Sequence, residues 1–243
     1  MTTTTTAPVA PRTAPVRASD SALRHARVAG LLYLITFAAS IPALPLIAPL
    51  LDDPAAYVLG PGHDTQVLAG CLLDVVNALT AIGTAVAVFP VVRRVNQSLA
   101  LGFVISRTME AAVIMTGVVS LMAVVTLRQD LGSDAAGLAT TAQALVDVRD
   151  WTFLFGPGLM PALNALLFGT LLHKSGLVPR WIPTLGLIGA PLLITAAVLV
   201  VFGHLTLMTG PALLLTLPIA VWELSVGTYM LVKGFRPTPY SVD

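Results

Sequence analysis

The sequence predicts an all-α fold: a polytopic membrane helix bundle with six transmembrane helices and both termini in the cytoplasm. Six long apolar runs with few charges inside them predict the spans. A run of about 20 residues, at about 1.5 Å per residue, crosses a hydrocarbon core of about 30 Å. Hydrophobic residues make up 56% of the chain and charged residues 10%. A water-soluble domain of that composition would expose large apolar patches, so a soluble fold is excluded.

The predicted spans follow one another along the chain. They are Val28–Leu51, Gln66–Phe89, Leu99–Leu127, Thr152–Leu172, Ile182–Phe202 and Met208–Val232. Helices are expected because backbone groups in lipid must form hydrogen bonds within their own segment. Residues 1–23, rich in Thr, Ala and Pro, are expected to form a disordered cytoplasmic tail. Residues 24–235 then form the transmembrane domain, and residues 236–243 form a short cytoplasmic tail.

The distribution of basic residues predicts the orientation. Alternation of sides places both tails and the loops 90–98 and 173–181 together, and this side holds 10 of the 13 Lys and Arg: Arg12, Arg17, Arg24, Arg27, Arg93, Arg94, Lys174, Arg180, Lys233 and Arg236. The opposite side keeps Arg128 and Arg149. Because cytoplasmic loops are enriched in Lys and Arg, both termini are predicted to be cytoplasmic.

The segment between the third and fourth spans, Arg128–Asp150, is predicted to be the one sizeable loop. Ser133 could cap a short helix there, with one apolar face formed by Leu138, Ala142, Leu145 and Val148. Such a helix is expected to lie on the outer membrane surface.

Four ionisable residues lie deep inside the spans: Asp74, Arg107, Glu110 and Glu223. A charge at mid-membrane costs about 2.5–3.5 kcal/mol, so each should face the bundle interior and find a partner. Arg107 and Glu110 are three residues apart and share a helix face. Together with the amides Asn77 and Asn164, these residues predict one buried polar cluster: Asp74, Asn77, Arg107, Glu110, Asn164 and Glu223.

Two functions remain open for this cluster. It could be structural, joining the helices by polar contacts. Alternatively, it could serve a proton- or ion-linked transporter of a small solute, because one cation faces three acids and at least one acid should be protonated or contact water or a cation. Prolines keep the second interpretation open, since interior prolines free backbone carbonyls and transporters use broken helices to line their sites. A plain kink satisfied by a neighbouring helix is the preferred interpretation of these prolines, because membrane helices tolerate proline. The fourth span contains Gly156, Pro157, Gly158 and Pro161, and the sixth contains Pro211 and Pro218.

A third class, a membrane-embedded hydrolase or metal-dependent enzyme, rests on His63, Asp64 and His204, which are predicted to lie on the same side of the membrane. Neither an HExxH nor a GxSxG motif occurs in the sequence. No catalytic residues, metal ligands or cofactors are therefore predicted, and the protein is expected not to be an enzyme.

The predicted partner is the lipid bilayer, no nucleic acid is expected, and the sequence does not indicate whether a small-molecule ligand is bound. Small residues recur at helical spacing in Ala81/Ala85, Gly83/Ala87 and Gly186/Ala190. Such pairs let helix backbones approach closely, either within the protomer or in a homo-oligomer.

Several sequence blocks resemble the bacterial membrane family known as domain of unknown function 4386. These blocks are RVAGLLYLI (27–35), RTMEA (107–111), NALLFG (164–169), LVPRW (177–181), PIAVWE (218–223) and KGF (233–235). The resemblance spans about residues 24–235 and implies a six-span, multi-pass protein of the bacterial plasma membrane with no assigned activity. Arg107, Glu110, Asn164, Trp222 and Glu223 match its motif positions.

Overall fold

The computed structural model describes residues 17–129, 135–206 and 209–242. In these residues the chain is 84% helical and contains no strands. Six helical spans are long and apolar enough to cross a membrane. The predicted all-α fold with six spans is therefore confirmed.

Nine α-helices are formed by the described residues: α1 Asp20–Asp52, α2 Pro54–Leu59, α3 Asp64–Val92, α4 Gln97–Gln129, α5 Ala135–Phe155, α6 Met160–Asn164, α7 Thr170–Ser175, α8 Trp181–Val201 and α9 Gly210–Lys233. A π-helical segment, Ala165–Gly169, joins α6 to α7. The helix α2 is a short connection between the first two spans. Helix α1 packs against α3 and α9, α4 packs against α3 and α5, and α8 packs against α9.

Helix α1 begins within the segment predicted to be a disordered tail. Its first residue is Asp20, and the hydroxyl of Ser19 accepts a hydrogen bond from the backbone N–H of Ala22 at 3.2 Å. This cap satisfies a backbone donor that the helix start leaves unpaired. Residues 20–23 are thus helical, which corrects the tail boundary, whereas residues 1–16 lie outside the described residues.

The first and last described residues meet at one end of the bundle, here called the terminal face. The N–H of Ser19 donates to the carbonyl of Ser241 at 2.7 Å, and that of Arg236 donates to the carbonyl of Leu177 at 2.8 Å. Phe235 is buried. Residues 236–242 therefore fold back against the helix ends. The opposite end, which contains α2, is called the far face.

The segment predicted to be a loop is largely helix α5, which corrects the sequence interpretation. The face that contains Ala142, Val146 and Arg149 is buried, whereas Val148, predicted on the apolar face, is 44% exposed. The hydroxyl of Ser120 donates to the carbonyl of Leu145 at 2.5 Å. Helix α5 is thus held against α4 instead of lying on the membrane surface, and Ser133 lies outside the described residues.

The fourth span is interrupted at its glycines and prolines, where the sequence analysis preferred a plain kink to a broken helix. Helix α5 ends at Phe155, turns occupy residues 156–159, and α6 begins at Met160 with Pro161 in its first turn. The whole span Ala135–Ser175 is 41 residues long. The sixth span differs, because α9 continues through Pro218 without a break.

The small residues pack helices together within the protomer. A Cβ built on Gly186 of α8 would lie 2.6 Å from Cδ2 of Trp222 in α9, and one built on Gly30 of α1 would lie 2.6 Å from the carbonyl oxygen of Gly227 in α9. Ala81, Ala85 and Ala190 are also buried. These close approaches place α9 against both α1 and α8.

Candidate functional site

Arg107 lies at the centre of a buried ionic cluster between α4 and α9. Its Nη1 is 3.0 Å from Oε2 of Glu110, one turn along α4, and its Nη2 is 2.9 Å from Oε1 of Glu223 in α9. The three side chains are only 4%, 7% and 15% exposed. The expected pairing of Arg107 is present with both acids.

Asn164 extends this cluster to the interrupted fourth span. Its amide Nδ2 donates to Oε2 of Glu110 at 2.7 Å, and its Oδ1 accepts from the hydroxyl of Ser106 at 2.7 Å. Asn164 ends α6 directly before the π-helical segment. We refer to Ser106, Arg107, Glu110, Asn164 and Glu223 as the Arg107 cluster.

Aromatic rings enclose the guanidinium of Arg107. Its Cζ is 4.9 Å from the ring centre of Tyr33 and 5.8 Å from that of Phe103. Phe103 in turn stacks on Phe168 with ring centres 4.7 Å apart. The Tyr33 hydroxyl and the Arg107 Nε–H are buried and have no hydrogen-bond partner among the described residues. Cation–π contact therefore adds to the ion pairs that hold Arg107.

Asp74 and Asn77 do not belong to this cluster. Both line a separate cavity of about 170 Å³ between α1, α3, α4 and α5. Ser40 of α1 and Thr152 of α5 also line it, together with the apolar residues Ile114, Leu121 and Phe153. The six predicted site residues thus divide into two sites, because the cavity lined by Asp74 and Asn77 includes no residue of the Arg107 cluster. We refer to the second site as the Asp74 cavity.

Arg149 is the residue that sequence reasoning missed. It was assigned to a loop, yet its side chain is 8% exposed and lines the Asp74 cavity. Its Cζ is 4.4 Å from the ring centre of Phe153, and its Nη1 is 3.6 Å from Oδ1 of Asp150. The sequence did contain one sign of a further buried cation. Asp74 lies inside a span and needs a partner of opposite charge. Arg149 is buried because residues 135–155 form one helix, α5, and Arg149 lies on the buried face of that helix.

Formal charges differ between the two sites. The Arg107 cluster contains one guanidinium and two carboxylates, so one shared proton would make it neutral. The Asp74 cavity contains one carboxylate and one guanidinium, and among the described residues no ion pair or hydrogen bond to Asp74 is formed. The sequence analysis counted one buried cation and three buried acids. With Arg149 included, the two sites together contain two cations and three acids.

Of the residues considered for an enzyme, Asp64 is engaged in contacts at the far face, whereas His63 and His204 are exposed. Asp64 accepts from the hydroxyl of Tyr57 at 2.8 Å and pairs with Nη1 of Arg128 at 2.7 Å. Burial and the hydrogen bond to Asp64 raise the pKa of the Tyr57 phenol well above its ordinary value. Within the described residues, no group of three or more His, Cys, Asp or Glu could hold a metal ion. His63, Asp64 and His204 thus form no metal centre in this part of the chain.

A known family matches the part of the chain that contains both sites. The family model described as "Domain of unknown function (DUF4386)" matches residues 28–234. The chain belongs to the DUF4386 family. The match includes all six spans, the Arg107 cluster and the Asp74 cavity. No curated protein and no solved structure matches the chain. Membership in DUF4386 therefore carries no biochemical role over to these residues.

Proposed function

We propose that this DUF4386 protein binds a small polar solute in the Asp74 cavity and moves it across the membrane, while the Arg107 cluster holds the helices together. The observation that carries the proposal is a carboxylate and a guanidinium that line one cavity of about 170 Å³ without pairing with each other. Ligand pockets combine mostly apolar walls with a few polar groups, and this cavity has both.

The structural role of the Arg107 cluster is supported by how completely its members contact one another. Asn164 and Arg107 both bond Oε2 of Glu110, and Arg107 also bonds Glu223. These contacts join α4, α6 and α9, which are distant in the chain. Polar contacts between helices are a known means of fixing membrane helix packing.

The Asp74 cavity is better suited to a solute because, among the described residues, Asp74 forms no ion pair or hydrogen bond and Arg149 has one long ion pair, to Asp150 at 3.6 Å. Asp74 lies ten residues from the first residue of α3, or about 15 Å along the helix. An ionised carboxylate at such a depth costs about 2.5–3.5 kcal/mol unless it is compensated. Water or a polar solute in the cavity would supply that compensation.

The interrupted fourth span supports movement at this site. Phe153 and Pro157 line the Asp74 cavity on one side, and they also line an apolar cavity of about 100 Å³ next to α8 and α9 on the other. The turns at residues 156–159 separate the two cavities. A break in a helix next to a site is the arrangement that transporters use for alternating access.

Proton linkage is a second candidate function for the Arg107 cluster. Ile114, which lines the Asp74 cavity, lies one helical turn from Glu110 on the same face of α4. With both carboxylates ionised, this cluster has a formal charge of −1, which a single proton would remove. A solute in the cavity would then lie close to a group able to release that proton.

The proposal also covers the orientation of the protein and the membrane in which it lies. Both termini in the cytoplasm and insertion in the plasma membrane are supported by the 10 of 13 basic residues on the predicted cytoplasmic side. Arg149, now part of a helix, no longer counts as a residue of the outer loop. The excess on the cytoplasmic side is thereby increased. A non-enzymatic role remains part of the proposal.

The binding proposal is tested by thermal unfolding of the detergent-purified protein with representative amino acids, sugars, organic cations and organic anions. A compound that binds the native state must raise its unfolding temperature. We expect at least one class to do so for the wild type and for Asp52→Asn, but not for Asp74→Asn. Asp52 is exposed at the end of α1 and is a matched control. Stabilisation by no class, or an equal response of Asp74→Asn, would contradict solute binding.

Transport is tested with the same compounds in proteoliposomes. Asp74→Asn should abolish uptake of the stabilising compound. Glu223→Gln should abolish only the part of uptake that depends on a pH gradient, if the Arg107 cluster is proton-linked. Unchanged gradient-driven uptake in Glu223→Gln would leave that cluster with the structural role alone.

A further inference from the structure

We propose that the solute of the Asp74 cavity is a zwitterion: a small molecule that carries both an ammonium group and a carboxylate group. This inference rests on the proposed function and specifies the chemical class of the ligand. The charges of the cavity lining, its volume and its apolar walls each restrict that class.

The two charged residues come from different helices and face the same space. Asp74 projects from α3 and Arg149 from α5, and both line the cavity. The one ion pair formed by Arg149 with the described residues is to Asp150, at 3.6 Å, and the Asp150 side chain is 60% exposed. The guanidinium has five N–H donors, so most of its capacity remains available within the cavity.

A ligand with one charge would satisfy only one of these residues. A cation bound to Asp74 leaves the Arg149 guanidinium with the long contact to Asp150, at 3.6 Å, as its one ion pair among the described residues. An anion bound to Arg149 leaves the Asp74 carboxylate without an ion pair. A zwitterion compensates both and brings no net charge into the membrane. A metal ion is disfavoured because Asp74 is the one carboxylate in the lining.

The volume and the walls restrict the remainder of the molecule. A cavity of about 150 Å³ holds benzene in another protein, so about 170 Å³ suits a ligand of roughly six to nine heavy atoms. Ile114, Leu121 and Phe153 offer an apolar surface to a short hydrocarbon body. Asn77 and Thr152 add neutral hydrogen-bonding groups beside the charges. An amino acid with a short apolar side chain has these properties.

Matched analogues test the inference on the wild-type protein in detergent. L-Valine, β-alanine and γ-aminobutyrate are zwitterions with different separations between the charges. Valine methyl ester keeps the ammonium group alone, and 3-methylbutanoate, which is valine without its amino group, keeps the carboxylate alone. We expect at least one of the three zwitterions to raise the unfolding temperature and to bind at least tenfold more tightly by calorimetry than either single-charge analogue.

Variants that remove one charge from the cavity show which residue binds the ammonium group of the ligand and which binds its carboxylate group. Arg149→Gln should weaken binding of the zwitterion and leave any binding of the ester unchanged, whereas Asp74→Asn should weaken both. Asp52→Asn and Arg93→Gln, at exposed positions of opposite faces, are matched controls and should bind like the wild type. If a cavity variant does not fold, the comparison of analogues on the wild type decides the question by itself.

The failures of the two proposals are distinguishable. If the ester or 3-methylbutanoate binds as tightly as every zwitterion, the zwitterion inference is overturned and solute binding stands. Binding of a sugar or a simple cation in the broader panel, with no response to the three zwitterions, has the same meaning. If no compound of either panel stabilises the wild type, both proposals are overturned.

Discussion

Glu223 in α9 lies 2.9 Å from Arg107 in α4, although 116 positions separate them in the chain. This pair connects the third and sixth spans, and Asn164 connects the fourth span to the same cluster through Glu110. The third, fourth and sixth spans are thus joined at one buried point. The stability of the bundle should therefore depend on Arg107 more than on any arginine at the surface.

We predict that Arg107→Leu destabilises the protein strongly. The substitution leaves Glu110 and Glu223 without their cation, and removal of one partner from a buried ion pair costs about 3–5 kcal/mol. Arg93→Leu is the control, since Arg93 is exposed at the terminal face and its nearest ring centre, that of Phe89, is 6.0 Å away. Folded yield and unfolding temperature in detergent give the comparison. Equal values for the two variants would mean that Arg107 does not hold the helices together.

The contact between Gly186 and Trp222 predicts that an added methyl group is harmful at this position. A Cβ at residue 186 would lie 2.6 Å from the indole of Trp222, which is fully buried. We expect Gly186→Ala to cost about 1–3 kcal/mol through overpacking. Gly102→Ala is the matched control, because a Cβ there would lie 3.4 Å from Leu167, an ordinary contact. Its unfolding temperature should equal or exceed that of the wild type, since alanine favours a helix over glycine. Similar losses in both variants would argue against close packing of α8 on α9.

The orientation of the bundle predicts which positions a membrane-impermeant thiol reagent can reach in intact cells. The one cysteine, Cys71, is buried, so Cys71→Ser provides a background without reactive thiols. In that background, Asp52→Cys and His204→Cys at the far face should react. Arg94→Cys and Lys174→Cys at the terminal face should react only after the cells are opened. All four positions are exposed. The reversed pattern would place both termini outside.

The raised pKa of Tyr57 predicts how stability changes at alkaline pH. Burial, followed by the hydrogen bond to Asp64, favours the neutral phenol in the folded state. A group whose folded pKa is raised contributes stability that is fully present below its unfolded pKa, about 10 for tyrosine, and is lost as pH rises above that value. We therefore expect the unfolding temperature of the wild type to fall more steeply above about pH 10 than that of Tyr57→Phe.

Tyr240→Phe controls for the general effect of losing a tyrosine. The hydrogen bond described for Tyr240 is donated by its backbone N–H to the hydroxyl of Thr238, so it does not involve the phenol. This variant should follow the wild-type pH curve. A Tyr57→Phe curve that also follows the wild type would show that Tyr57 is not responsible for the alkaline loss.

Much of the architecture was determined by the sequence alone. Runs of apolar residues fix where helices must cross a bilayer, because no other conformation satisfies the backbone in lipid. The i,i+3 spacing of Arg107 and Glu110 fixes their pairing, since both lie on one face of the same helix. The glycines and prolines of residues 156–161 marked the break in the fourth span. These are local properties, and local properties can be read from the order of residues.

Only the tertiary structure decided which polar residues meet. Asp74 and Arg107 each required a partner, but helix order and rotation about each axis determine which partner is reached, and a sequence of apolar spans specifies neither. Arg149 looked like a loop residue because its segment is not apolar enough to predict a span. It became part of a site because one face of α5 packs against α4. The separation of a filled ionic cluster from a charged cavity is therefore a consequence of packing between helices.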